Sequence, residues 1–150
     1  MASELNPVAA WIYERLAHDP DGVDGRGRAY RGLDSLVAGR IYEMRVPQDG
    51  GFPCVVFAFH SGRDRRGTGG ARVCTRLLYQ VKGIDVGEDF TAVGRIADRI
   101  DALLQQAQDR DDPTVIGVSR TDPVQYMDEA DGVEHVHQGG MYSVFAYTQD

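Results

Sequence analysis

Along residues 72–82 the side chains alternate, with Val73, Thr75, Leu77, Tyr79 and Val81 on one side and Arg72, Cys74, Arg76, Leu78, Gln80 and Lys82 on the other. A two-residue period sends successive side chains to opposite faces, so this segment reads as a β-strand with one buried face, running from about Ala71 to Gly83. Such a strand needs a neighbour. Pro53, placed where a strand tolerates proline, leads into Val-Val-Phe-Ala-Phe, and the pairing strand is predicted at about Cys54 to His60. The Gly- and Arg-rich tract His60–Gly70 between them reads as the loop of a hairpin with a long tip. A shorter strand, about Arg40 to Met44, precedes this pair.

Two helices frame these strands. Asn6-Pro7 suits a helix start, as an N-cap followed by a proline whose missing N–H costs nothing there, and Val8, Trp11, Ile12 and Leu16 then recur at helical spacing. Asp19-Pro20-Asp21-Gly22 stops that helix near His18. The four-glycine tract Asp19–Gly32 reads as an exposed loop, and Leu33, Leu36 and Val37 as a short helical turn. Asp85 and Glu88 have the spacing of a capping box, followed by Phe90, Val93, Ile96, Ala97, Ile100, Leu103 and Leu104, which predicts a helix over about 88–108. After a charged break at Asp109–Pro113, three more strands are expected, one begun by Val115, Ile116 and Val118, one at Val124–Met127 and one at Met141–Thr148. The sum is a single α+β domain over residues 1–150: an antiparallel sheet of about four to six strands with two main helices packed on one face.

Composition narrows the chemistry. A formal charge of -7, with Lys82 the only lysine, argues against a protein that grips nucleic acid along its whole surface. No window approaches the ~18 apolar residues of a membrane span, so a soluble, unsecreted protein is expected. Cys54 and Cys74 fall in predicted strands away from metal-type spacing and read as reduced, semi-buried thiols in a cytosolic setting, with a disulfide between them as the alternative.

Candidate sites are few. His135 and His137 beside Glu134 put two imidazoles on one strand face, as a metal site would, but no third ligand stands at a telling distance, and a solvent-facing pair beside the Asp131-Gly132 turn is the simpler reading. The His60–Gly70 loop has the glycines and cations of a phosphate cradle, yet it lacks a Lys-Ser or Lys-Thr ending and leads into a strand instead of a helix. A mobile hairpin tip, or a partner-contacting or DNA-facing arm, fits better, with Arg63, Arg65 and Arg66 as the candidate partner-binding residues. The carboxylates at Asp109, Asp111 and Asp112 and at Asp128, Glu129 and Asp131 lie in segments that read as solvated turns. Ser61, Ser119 and Ser143 lack a nucleophile elbow, and neither cysteine has the surroundings of an activated nucleophile. Trp11 reads as core; Tyr42, Tyr79, Tyr126, Tyr142 and Tyr147 lie on strands, partly buried and partly interfacial. No catalytic residue, metal or cofactor is assigned.

In order along the chain, the first helix, Ala38-Gly39-Arg40-Ile41-Tyr42, Pro47-Gln48, Pro53 with Val55-Val56-Phe57, the strand Val73–Val81, the long helix with Ala97 and Ile100, and the closing Gly140-Met141-Tyr142-Ser143-Val144-Phe145-Ala146-Tyr147 resemble the tail terminator, or tail-completion, family of long-tailed bacteriophages. The tract Asp19–Gly32 is longer than that pattern and Asp128–His137 is an elaboration of it. The resemblance implies a structural virion protein of the tail and neck region, assembled in the host cytoplasm. It implies a homo-oligomeric ring, a hexamer, that caps the tail tube protein, stops its polymerisation and meets a head-side connector or stopper protein, while genomic DNA passes through without sequence-specific binding. The alternatives are another neck component such as a head-completion or connector protein, a small metal- or nucleotide-binding enzyme using His135, His137 and the Gly-rich loop, and a binding module of a bacterial host.

Overall fold

The computed structural model describes residues 5–105, 107 and 115–147. Two large hairpins supply most of the sheet. β4 (Cys54–Arg66) folds back on β5 (Arg72–Val86), and β6 (Val115–Ala130) folds back on β7 (Val133–Tyr147); β5 and β7 join the two hairpins antiparallel. The short β3 (Ile41–Glu43) completes the order β3-β4-β5-β7-β6. The α+β class, the five strands and the helices on one face are as expected from sequence. The sheet is mixed, however, because β3 runs parallel to β4, pairing Ile41, Tyr42 and Glu43 with Val55, Val56 and Phe57. The ten residues 44–53 give the chain room to return along β3 and re-enter in the same direction, which a tight hairpin turn cannot do.

α1 (Leu5–Ala17) and α3 (Thr91–Leu104) lie on one side of this sheet. Val8, Ile12 and Leu16 of α1 and Val93, Ile96, Ile100 and Leu104 of α3 are buried, and except for Val93 they form one core with Phe57, Leu77, Tyr79, Val81, Tyr142 and Val144 from the strands. α3 seats closely because β5 offers Gly83 beneath it: a Cβ there would fall 2.6 Å from Ile96 Cγ2. On the opposite face, Cys54, Val56 and Ile84 pack with Tyr42, Val46 and Phe52 in a smaller cluster under the 44–53 segment.

Several boundaries differ from the sequence reading. The helix expected over 88–108 is ordered as α3 over Thr91–Leu104, and the predicted Asp85/Glu88 box does not form, because Asp85 stays in β5 opposite Val136. Asp89 takes over the helix start, its carboxylate accepting the Thr91 N–H at 2.9 Å and the Thr91 hydroxyl at 2.7 Å. The strands expected at Val115–Val118 and Val124–Met127 are one, carried through Pro123 with register shifts at Val115/Gly117 and Arg120/Asp122. Asp109–Pro113, with the carboxylates Asp109, Asp111 and Asp112, lies outside the described residues, as does Thr148.

The tract Asp19–Gly32 is more than an exposed loop. β1 (Gly22–Val23) and β2 (Ala29–Tyr30) form a small antiparallel pair, and α2 (Leu33–Leu36) follows as the expected helical turn. The Asp19 side chain is only 4% exposed and receives two hydrogen bonds from Arg99 of α3, at 2.6 and 2.7 Å, and one from the Leu33 N–H at 2.8 Å. The Arg99 guanidinium in turn stacks 4.0 Å from the centre of the Tyr30 ring. This two-pronged ion pair ties the whole insertion to α3, with the planar fork matched to the carboxylate.

Two outcomes test this packing. Gly83→Ala forces Ile96 outward and is expected to destabilise the fold by about 1–3 kcal/mol in urea unfolding. Arg99→Leu strands a buried carboxylate and is expected to cost about 3–5 kcal/mol, whereas adding Asp19→Asn to it recovers part of the loss, a non-additivity that a double-mutant cycle reads directly.

Candidate functional site

The sequence places its candidate contact residues Arg63, Arg65 and Arg66 in a loop; the structure places them in a strand. β4 continues as far as Arg66, with Ser61–Arg66 paired against β5, and only the turn around Gly67–Ala71 is free of strand structure. Backbone pairing explains the difference. Once β4 and β5 are in register, each further residue gains ladder hydrogen bonds whatever its side chain, so a polar, Gly-containing tract extends β4 along Cys74–Leu78 of β5, which pair with Ser143–Tyr147 of β7 on their other side. The turn closes through Gly67 N–H to the Ala71 carbonyl at 2.9 Å, and Gly69 and Gly70 take φ values of 92° and 85° that favour glycine.

Along the arm Arg63 stands opposite Arg76 and Arg65 opposite Cys74, on the face turned away from the helices. Asp64 points to the other face, where it accepts the Thr75 hydroxyl at 3.0 Å and lies 3.7 Å from Arg72. Arg63, Arg65 and Arg66 are all exposed. Arg66 reaches the Gly70 carbonyl at 3.4 Å, and among the described residues Arg63 and Arg65 form no ion pair. The arm thus presents guanidinium groups outward, the geometry suited to carboxylates on a partner.

His135 and His137 sit on β7 facing the same side, but they are not a solvent-facing pair. His137 is 6% exposed, stacked at 4.3 Å on Tyr126, with Nε2 3.0 Å from Asp128 Oδ1 and Nδ1 buried without a hydrogen-bond partner. His135 is half-buried against Phe52. Asp128 and Glu129, expected in a turn, are strand residues of β6; the turn itself is Asp131-Gly132. Among the described residues no group of three or more His, Cys, Asp or Glu side chains is placed to hold a metal. Burial pushes the Cys54 thiol up to about 11, which keeps it protonated and unreactive, and both cysteines are free. Cys54 lies opposite Ile84 and Cys74 opposite Arg65, about 30 Å apart along the hairpin at ~3.3 Å per residue, so no disulfide joins them.

Trp11 is partly buried at the core's edge with Arg15 over its ring; Tyr79 and Tyr142 are fully buried, and Tyr126 and Tyr147 are exposed. A groove of about 400 Å³ between the insertion and α3 is lined by Tyr30, Leu36, Arg31, Arg95 and Asp98, beside an Arg99 already engaged by Asp19. The Asp19–Arg99 clamp and the His137–Asp128–Tyr126 cluster were not legible as sites: the first joins residues 80 positions apart, and the second depends on the β6–β7 register.

Residues 26–138 match the family described as Tail completion protein gp17. The sequence matches no curated protein. Among solved structures, a chain from the "Virion of native gene transfer agent (GTA) particle" has a similar fold, with a TM-score of 0.55 at 13% identity over 91% of this chain and 92% of that one.

Burial holds the His137 imidazole below its ordinary value; Asp128 acts in the opposite sense, and Lys82 and His135 add to the depression. A base whose folded pKa is depressed contributes stability that is complete above its unfolded pKa, about 6.5, and is lost as pH falls through the folded value. Unfolding free energy is therefore expected to drop between about pH 7 and pH 5, and the drop to be smaller in His137→Gln, as measured by denaturant titration at both pH values.

Proposed function

The chain belongs to the Tail completion protein gp17 family, and from that premise we propose that it is a ring-forming tail terminator that caps the tail tube, stops its growth and joins the tail to the head-side connector. It is a structural virion protein and not an enzyme. The observation that carries the finer reading is the extent of the match: residues 26–138 take in β3, the whole β4–β5 hairpin, α3, β6 and the start of β7, which is the scaffold and both of its hairpin turns.

Such a part works through geometry. Identical subunits meeting head to tail close into a ring when the rotation between neighbours divides a full turn, and the two flat faces of the ring are then free to meet different partners. A five-stranded sheet braced by α1 and α3 gives each subunit the stiffness that a fixed rotation requires. A net charge of -7 suits a channel through which DNA passes without adhering, since like charge opposes the phosphate contacts that give affinity. The outward arginines Arg63, Arg65 and Arg66 supply a contact for an acidic neighbour.

The absolute mass of the purified protein in solution tests the reading. A mass near six subunits, reached alone or on adding tail tube protein, is the expected outcome; a monomer indifferent to tail tube overturns it. Replacing the three arginines by glutamine is expected to leave the unfolding curve within about 0.5 kcal/mol of the parent while impairing ring formation and tail joining.

A further inference from the structure

The two hairpins turn at opposite ends of the sheet. Cys74 lies opposite Tyr147, the last described residue of β7, and the β4–β5 turn at Gly67–Ala71 follows at that end. Val86, the last residue of β5, lies opposite His135, so the β6–β7 hairpin extends past its neighbour at the other. The span from Cys74 to Val86 is about 40 Å of strand at ~3.3 Å per residue.

Charge is segregated between these ends. Residues 63–76 carry five arginines and one acidic residue, Asp64. Residues 121–140 carry five carboxylates and no Lys or Arg. The register then sets like charges directly against each other: Arg63 opposite Arg76 at the basic end, Glu129 opposite Glu134 at the acidic end. Directly opposed like charges destabilise a strand pair, and a facing opposite charge relieves the cost. Glu134 is further crowded by Glu88, whose hydrogen bond and charge push its carboxyl above the usual range. Each end also exposes apolar side chains, Val73 and Tyr147 at the basic end and Met127 and Val133 at the acidic end, all 42–51% exposed. The two ends carry charge of opposite sign, the complementarity that steers partners together and fixes their register.

We infer that the basic β4–β5 arm of one copy docks on the acidic β6–β7 hairpin of a second copy, Arg63, Arg65 and Arg66 facing Glu129 and Glu134. This contact rests on the ring reading above and names the surfaces through which neighbouring subunits meet.

Reciprocal charge reversal tests it. Variant one is Arg63→Glu, Arg65→Glu, Arg66→Glu; variant two is Glu129→Arg, Glu134→Arg; thermal melts confirm that each is folded. Each alone brings like charges together at the contact and is expected to self-associate at least about tenfold more weakly than the parent in analytical ultracentrifugation. An equimolar mixture restores opposite charges at every contact and is expected to recover the parent's assembly. Recovery at ring mass supports the contact and the ring together, whereas recovery at the mass of two subunits supports the contact and overturns the ring. Reversed variants that assemble like the parent, or a mixture that recovers nothing, overturn the contact and leave the ring standing. A parent that stays monomeric at every concentration, with and without tail tube protein, overturns both.

Discussion

The burial of one stripe of α3 against the sheet sets the position of almost everything else. Ile96, Ile100 and Leu104 meet Leu77, Tyr79, Val81, Tyr142 and Val144, so the helix bridges β5 and β7 and locks the two hairpins into one sheet. At about 25 cal/mol per Å² of apolar surface, side chains of this size each contribute some 1.5–3 kcal/mol, which dwarfs any exposed ion pair in the molecule. α1 packs beside α3, and Arg99 on the flank of α3 gathers in the 19–36 insertion through Asp19. The two hairpins turn at opposite ends of the sheet, at Gly67–Ala71 and at Asp131-Gly132.

What could be read in the sequence follows from this arrangement. Where a segment buries one face, its period shows: Val8, Ile12 and Leu16 in α1, Val93, Ile96 and Ile100 in α3, and the alternation of β5 all identified their elements correctly. Where a strand leaves the core, no burial imprints a period, and Ser61–Arg66 and Val124–Ala130 were legible only as loop or fragment. Their strand character comes from the partner's backbone, which propensity does not report. The Asp85/Glu88 spacing misled for the same reason, since pairing with β7 holds Asp85 in the sheet and leaves Asp89 to start the helix.

The candidate contact residues illustrate the converse. Arg63, Arg65 and Arg66 stand out in a chain with a net charge of -7, and their chemistry was evident without any structure. Their mutual arrangement was not. Only the register shows that Arg63 faces Arg76 across the ladder and that Glu129 faces Glu134 far away on the same sheet, and only burial shows that His137 is sealed beneath Tyr126 instead of facing solvent. In a protein of the tail completion family the useful information is thus carried less by residue identity than by where a rigid sheet holds each charge.

The outer edge of β6 bears on how such a subunit behaves before it finds its place. β6 pairs with β7 on one side, and among the described residues nothing pairs with its other edge, which would ordinarily invite another chain to add on by backbone pairing, the route to open-ended aggregates. This edge is interrupted by Pro123, which has no N–H to offer, and by the irregularity at Arg120/Asp122. A stray strand therefore finds no continuous ladder to extend. Side-chain contacts, unlike an open ladder, specify an angle between partners, and an angle is what lets an assembly count its members and stop.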